Sequence, residues 1–417
     1  MTPDSSSVLH TDCCIVGAGP AGAVLALLLA RQGISVTLLE AHRDFDRDFR
    51  GDTLQPSVLT LMEELGLSEQ LLQIPHSQAH QPHMHTEQGD FTFIDYSHLK
   101  TRFPFLTVMP QVRFLEFIIE QAKQYPNFQL IMGANVQELV ESAGTIQGVR
   151  YRGQGEWHEI RATLTIGADG RHSRVRQLAG LTFPKSSDSP LDVLWFRLPR
   201  YPNESDELTA LVGHGQFIAL MNRDTQWQVG CVIAKGAYQT LRRQGLEAFR
   251  QSIVKAVPQF SDRIEQLQNW SQVAYLSVET GCLKRWYRPG LLLIGDAAHV
   301  MAPFGGVGIN YAIADAVVAV NILTEPLRAK QVTYQDLRKV QRRRALPTWL
   351  IQTFQSIIQQ QLFLPGLDAT QPFQPPALMR LPIVPRLLAR FLGFELIPVH
   401  VAPAVQQSTH TLSLESH

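Results

Sequence analysis

Thr11–Val16 is a short apolar run that gives way to Gly17, Gly19 and Gly22, then to an alanine- and leucine-rich stretch ending at Arg31. Ile34–Glu40 is a second, β-branched run that ends on an acid. The switch in hydrophobic period predicts strand, glycine turn, helix and strand. Val58–Leu65 carries helical spacing and stops at Gly66, and Arg113–Gln124 reads as a helix. Phe128–Met132, Val136–Val140, Gly148–Tyr151 and Leu164–Ile166 read as strands, the last leading into Gly167. Leu191–Leu198, Leu208–Val212, Gln216–Asn222 and Trp227–Ile233 are separated by turn residues such as Gly213–Gly215 and predict an antiparallel sheet. Leu246–Val257 reads as a helix. Leu291–Ile294 is again a buried strand, followed by a glycine-rich stretch to Gly308 and a helix from Ile309 to Leu323. The remainder is helical and interrupted by prolines.

A nucleotide-type βαβ unit therefore opens the chain, and its pattern returns near residue 290. An all-β block with one helix lies between. The pattern predicts an α/β fold with a discontinuous first domain (1–75, 98–180 and 272–345). A mixed-sheet domain (76–97 and 181–271) is inserted into it, and a helical segment (346–417) closes the chain.

Composition narrows the class. Lys and Arg number 37, as do Asp and Glu, so the formal net charge is zero. That argues against a nucleic-acid footprint. Charged residues make up 18%, below the usual ~25%, which favours a large interior, an apolar ligand or a membrane-touching surface. The four cysteines (Cys13, Cys14, Cys231, Cys282) form no CxxC pair, so neither a disulfide framework nor a zinc site is expected, and a reduced cytoplasmic chain fits best. His76, His80, His83 and His85 are irregularly spaced and read as a solvated loop or strand edge. Cys13–Ala30 is uncharged, but its glycines and the acids before it argue against a signal or membrane span. Thr348–Leu367 is uncharged too, yet holds five glutamines and reads as an amphipathic helix.

Three motifs carry chemistry. The first is Gly17-Ala18-Gly19-Pro20-Ala21-Gly22, with Glu40 following at the end of the second strand. The first glycine permits the turn, the second admits a pyrophosphate, and the third lets helix and strand approach. The helix N-terminus favours phosphate. Glu40 can accept from ribose hydroxyls and argues against a 2′-phosphate. The second is Gly167-Ala168-Asp169-Gly170-Arg171-His172-Ser173, between a strand and a helix. The third runs from Gly295-Asp296 through His299 to Pro303-Phe304-Gly305-Gly306-Val307-Gly308-Ile309-Asn310. Here a buried strand delivers an aspartate to a turn, and a helix N-terminus that can stabilise negative charge follows.

In this order and spacing the motifs resemble those of the flavoprotein aromatic hydroxylases of the p-hydroxybenzoate hydroxylase type, over about residues 10–345. The resemblance implies a Rossmann-like FAD-binding domain of the GR2 type with an inserted antiparallel sheet as substrate domain. It places the ADP half of non-covalent FAD on Gly17, Gly19, Pro20, Ala21, Gly22 and Glu40. The ribityl chain falls to Asp296 and Gly295, and to Gln111, with Arg113 as the competing alignment. Pro303, Gly305, Gly306, Gly308, Ile309 and Asn310 line the isoalloxazine, and the helix beginning there stabilises the N1–O2 edge of reduced flavin. Asp169 is linked to FAD and nicotinamide binding. Arg50 lies near flavin and adenosine, and His299 is structural. The resemblance implies NADH or NADPH as a transient co-substrate, and the chain, like the family, shows no second glycine-rich βαβ unit. The implied reaction is hydroxylation of an aromatic, quinol-like or other apolar electron-rich molecule by O₂ through a flavin C4a-hydroperoxide.

The substrate pocket is expected between the flavin and the inserted sheet. Trp195 and Arg197 share one strand face, and Trp227, Val229 and Cys231 share another; these are the candidate lining residues, unless they only pack the sheet on its helix. Tyr238, Tyr275, His214 and Tyr311 are available as bases, and spacing selects none. Arginines among apolar residues in 378–401 suit contact with a membrane surface or an amphipathic cover on the FAD domain. Alternatives are a flavin halogenase, whose WxWxIP segment is absent, a flavoprotein reductase, a redox-neutral cyclase or isomerase acting on an isoprenoid, and a non-catalytic FAD-binding protein.

Overall fold

The computed structural model describes residues 8–45, 51–184, 188–205 and 207–406. Along the chain, β1 (Val8–Val16), α1 (Pro20–Arg31) and β2 (Val36–Glu40) form the opening unit. Pro20 occupies the first helical turn, where its missing N–H costs nothing. A hairpin, β3 (His83–Thr86) and β4 (Gly89–Thr92), precedes α2 (Gln111–Ala122) and β5 (Phe128–Met132). A meander of β6 (Asn135–Ser142), β7 (Thr145–Gly153) and β8 (Glu156–Gly167) follows. Then come β9 (Asp188–Pro199), β10 (Thr209–Gly213), β11 (Gln216–Asn222), β12 (Gln226–Ala234), α3 (Leu246–Ala256), β13 (Ala274–Glu279) and β14 (Leu291–Leu293). Three longer helices follow, α4 (Gly308–Arg328), α5 (Tyr334–Ile358) and α6 (Ile383–Phe394), and a short one at Pro403–Gln406 ends the described chain.

The first sheet has the parallel order β14-β8-β1-β2-β5, with the antiparallel hairpin β6–β7 attached to the first half of β8. α1 is buried almost all round, and α4 packs beside it. Helices on a parallel sheet bury both strand faces, which is why all five residues of β2 are buried. Each such leucine or valine contributes about 1.5–3 kcal/mol on leaving water.

The second sheet has the order β13-β9-β12-β11-β10-β3-β4, antiparallel except between β10 and β3. One face packs on α3 through Phe196, Trp227, Val229, Phe249 and Ile253. Its other face looks toward the first domain. The sheet extends past residue 271 to Glu279, because β13 completes the edge beside β9. Likewise α5 runs through residues 345 and 346 as one helix started by a Thr333–Asp336 capping box. The 378–401 stretch is not one helix. It comprises a short turn at Ala377–Arg380, then α6, which ends at Glu395. Among the described residues no helix is long and apolar enough to cross a membrane.

Candidate active site

The glycines of the first motif have different surroundings. Gly17 has φ +101°, and a Cβ there would lie 2.5 Å from the Ala168 carbonyl oxygen. A Cβ on Gly22 would sit 1.9 Å from the Gly17 carbonyl oxygen. Those two positions are closed by the fold. Gly19 differs, since a Cβ there meets nothing within 4 Å. Its open side lines the cavity ahead of α1, where unpaired N–H groups and the helix dipole favour an anion. Glu40 is buried at the end of β2. One carboxylate oxygen accepts from Ala18 N–H at 3.0 Å, and the other from His42 N–H at 3.0 Å. The His42 ring also lies 2.7 Å from the second oxygen, so these contacts fix the carboxylate at the end of β2.

This turn is one end of a single cavity of about 540 Å³. Gly17, Gly19, Pro20, Ala21, Glu40, Gln111, Asp169, Asp296, Pro303, Gly305, Gly306, Gly308 and Ile309 all line it. Gly22 and Gly295 support it from behind: Gly22 abuts Gly17, and Gly295 donates its N–H to Asp315 at 2.8 Å. Asn310 turns its side chain into the protein, accepting from Gln55 N–H and donating to the Gly306 carbonyl, each at 2.9 Å. Gln111 begins α2 at the cavity wall, whereas Arg113 pairs outside with Glu116 at 3.4 Å. The Asp169 carboxylate caps the short helix after it, accepting from Ser173 Oγ and from Val175 N–H at 3.0 Å. Arg50 lies outside the described residues. An open glycine at a helix N-terminus, a buried acid at the end of β2 and a second helix start at Gly308 fit the two ends of a dinucleotide.

Beyond the Pro303–Gly308 loop the cavity becomes apolar. The inner face of the second sheet forms one wall, with Trp195, Phe217 and Val232 among its residues. Phe354 and Ile358 of α5 and Leu388 and Leu392 of α6 form the other. Trp195 and Arg197, which alternation put on one face, lie on the cavity side. Trp227, Val229 and Cys231 do not: they pack toward α3. The antiparallel register places Trp195 opposite Gly230 and Arg197 opposite Gln228. Directly opposed residues share a face, so Gln228, Gly230 and Val232 are the ones presented to the cavity. Gly230 is needed there, because a Cβ would lie 2.5 Å from the Trp195 ring.

A polar pole sits between the two halves. Arg197 Nε and Arg223 Nη1 both donate to Gln228 Oε1, at 3.3 and 3.0 Å. Arg223 Nε also pairs with Asp52 at 3.3 Å. Burial pushes the Asp52 carboxyl up to about 6, against the pull of Arg223 and Arg197. Asp52 belongs to the Arg50-Gly51-Asp52 loop that the resemblance marks for its arginine, but no motif marks Arg223, and only the fold brings these two residues, 171 apart, together. None of Tyr238, Tyr275, His214 and Tyr311 lines the cavity. Tyr238 and Tyr275 stack on each other, and His214 sits in an exposed turn beside Glu87. Tyr96, which the sequence did not single out, does line it. Burial raises its hydroxyl pKa, so it acts as a donor, to Gln55 Oε1 at 2.9 Å.

Behind the third motif lies a buried ion cluster. His299 Nε2 and Arg344 Nε meet the two oxygens of Asp315, at 2.7 and 2.8 Å. Arg344 also holds Glu395 at 2.7 and 3.1 Å. His299 is therefore a buried structural partner and does not line the cavity. Among the described residues no group of three His, Cys, Asp or Glu side chains is placed to hold a metal, and the four cysteines are unpaired. His83 and His85 instead face Glu207 and Asp90, at 3.2 and 2.7 Å.

Comparison with known proteins agrees with this geometry. The FAD binding domain family matches residues 10–348. A 6-methylpretetramide 4-monooxygenase from Streptomyces rimosus is 36% identical over 342 residues, covering 80% of each chain. Squalene epoxidase 2 from Arabidopsis thaliana is 30% identical over 347 residues, 76% of this chain and 54% of that one. A probable FAD-dependent monooxygenase from Pseudomonas aeruginosa shares the fold, with a TM-score of 0.72 at 20% identity, covering 87% of this chain and 98% of that one. The chain belongs to the FAD-binding flavoprotein monooxygenases of the p-hydroxybenzoate hydroxylase type.

Proposed function

We propose that this protein uses NADH or NADPH and O₂ to hydroxylate a large, apolar phenol- or quinol-like aromatic. The supporting observation is the continuity of one cavity, from the open Gly19 turn past the Pro303–Gly308 loop into an apolar chamber. The Gly17–Gly22 turn, Glu40, Gln111, Asp169, Asp296 and the Pro303–Asn310 segment are proposed to hold FAD. Bound FAD would supply the oxygen-activating redox chemistry. The protein's own part is to orient and to exclude water. Trp195, Phe217, Phe354 and Leu388 wall the chamber against water, and Arg197 and Arg223 favour a substrate oxygen that carries negative charge. The first test is a screen of NADH and NADPH oxidation with phenols and quinols of increasing size. Stimulation by no compound, or anaerobic isomerisation of a polyene without NAD(P)H, would reject hydroxylation.

Replacing Asp296 by Ala removes an acceptor from the turn that closes β14. FAD affinity should fall about tenfold or more, the scale of a hydrogen bond to a charged group. Equilibrium dialysis of the folded variant measures it, and unchanged retention of FAD would move the ribityl site elsewhere.

The raised Asp52 carboxyl gives the pole a pH-dependent charge. A folded pKa near 6, above the usual ~3.9, means a proton is taken up as pH falls through 6. The pole is then more positive, so benzoate should bind more tightly as pH drops from 7.5 to 5.5. Asp52→Asn should flatten that slope. A benzoate titration by flavin absorbance that shows equal slopes in both proteins would dissociate Asp52 from ligand charge.

Contact with a membrane surface through residues 378–401 is part of the proposal. Leu378, Leu381, Ile383 and Leu387 are exposed there, between Arg380, Arg386 and Arg390. The opposite side of α6 lines the chamber with Leu388 and Leu392. Sedimentation with anionic vesicles, against zwitterionic ones, tests this contact.

A further inference from the structure

We propose that Gln55 and Gln355 are positioning residues that turn the carbonyl groups of the Ala302–Gly306 loop away from the flavin. The inference rests on the reading that this loop faces the flavin ring. Every carbonyl oxygen in the loop has a donor inside the protein. Gln355 Nε2 on α5 donates to both the Ala302 and Phe304 carbonyls, at 2.8 Å each. Gln55 Nε2 donates to the Gly305 carbonyl at 2.9 Å. The Gly306 carbonyl accepts from Asn310 Nδ2 at 2.9 Å and from Thr53 Oγ1 at 3.2 Å. The Pro303 carbonyl accepts from Gly306 N–H at 3.3 Å.

The amide of Gln55 has no freedom to reverse. The Gly305 carbonyl can only accept, so the NH₂ end of Gln55 faces it, and the Oε1 left over accepts from the Tyr96 hydroxyl. Gln55 and Tyr96 are both wholly buried, and Gln355 is only 1% exposed. Tyr96 and Gln355 also reach the cavity wall, and a hydrogen bond between groups this little exposed is costly to break.

The electrostatic consequence follows from what is left over. The first turn of α4, beginning at Gly308, keeps N–H groups with no intrahelical partner. A carbonyl that swung into the cavity beside them would cancel part of their field. With all five carbonyl oxygens tied back, the rim remains a source of positive potential that needs no reorganisation when negative charge arrives. Gln355 comes from the helix after the third motif and Gln55 from a segment some 250 residues before it. The loop is thus aimed by residues outside its own motif.

Gln355→Met and Gln55→Met keep side-chain length and remove the donors. Each is purified with FAD and compared with the parent in two titrations. Sulfite adds its electron pair to oxidised flavin to form an N–S bond and leaves the ring anionic, so its dissociation constant reads the local field. The second titration reads the two-electron reduction potential. We expect FAD at one per chain, a sulfite constant raised about tenfold and a potential lowered by the same factor, about 30 mV. Tyr96→Phe, which leaves Gln55 Oε1 without its donor and so loosens the amide, should give about a threefold rise. A purely structural role would lower the melting temperature and leave the sulfite constant and potential of FAD-replete protein unchanged, and that result overturns the proposal. Should either Gln variant fail to fold, Tyr96→Phe decides by the same two readings. A parent protein that itself binds no FAD would instead reject the site assignment beneath it.

Discussion

Gly19→Val should fold and melt like the parent in the absence of FAD, yet bind FAD at least about 100-fold more weakly, a loss of roughly 2.7 kcal/mol. Gly22→Val should not fold at all. The contrast comes from where each Cβ would go. At Gly19 the backbone is extended, φ −72° and ψ −176°, which any residue adopts, and a Cβ meets nothing within 4 Å. The added bulk enters only the cavity at the N-terminus of α1. That is the space a pyrophosphate needs to reach the free amides. At Gly22 the Cβ would be 1.9 Å from a backbone oxygen. Backbone cannot swing aside as a side chain can, so α1 would have to leave β1. Circular dichroism of the apoproteins and quenching of FAD fluorescence separate the two outcomes. Undiminished FAD binding by folded Gly19→Val would show that the phosphates lie elsewhere.

Arg344→Met should destabilise the apoprotein by about 3–5 kcal/mol at pH 8, the cost of leaving buried carboxylates uncompensated. Arg344 is fully buried and is shared by Asp315 on α4 and Glu395 at the end of α6. Burial works to raise the Asp315 carboxyl, but the charges of His299 and Arg344 outweigh it and hold it below the usual range. Burial lifts Glu395 as well, and there the attraction of Arg344 does not fully offset it. Without Arg344 the Glu395 carboxyl, already raised by burial, would titrate further above its unfolded value near 4, and Asp315, still held by His299, would rise from its lowered position. The folded state then holds more protons than the unfolded state over that window, so stability falls as pH rises through it. The destabilisation should therefore shrink markedly at pH 5. Urea unfolding at both pH values measures this, and a deficit that does not depend on pH would rule out buried carboxylate charge as its cause. Because Asp315 also accepts the Gly295 N–H, the same variant should weaken FAD binding. Glu395 has φ +59°, a conformation uncommon for a residue with a side chain. Its ion pair with Arg344 is one interaction that retains it.

How much of this was legible beforehand depends on the range of the interaction. The opening βαβ unit, the Asp296 turn and the Gly308 helix start could be read from residues close together in the chain. Their spacing is set by local geometry: a tight turn, a helix N-terminus and a strand end. Alternation correctly paired Trp195 with Arg197 on one face and Trp227, Val229 and Cys231 on another. It could not say which face met the cavity, since period two is symmetric between faces. The register of β9 against β12 decided that, by setting Trp195 opposite Gly230. The hydrophobic pattern also divided the chain at 271 and 345, where β13 and α5 are continuous with what lies on the far side.

The sequence by itself determined that this chain builds a dinucleotide cradle and an inserted sheet, because both are written in short-range patterns of glycine, charge and apolar period. Only the tertiary structure decided what surrounds the cradle. Asp52 with Arg223, Gln55 and Gln355 with the 302–306 carbonyls, and Arg344 with Glu395 are single polar residues without a repeating pattern. Each acquires its role from burial and from a partner 51 to 250 residues away. A buried hydrogen bond or ion pair depends on distance in space and on the exclusion of water, and neither is encoded in local spacing.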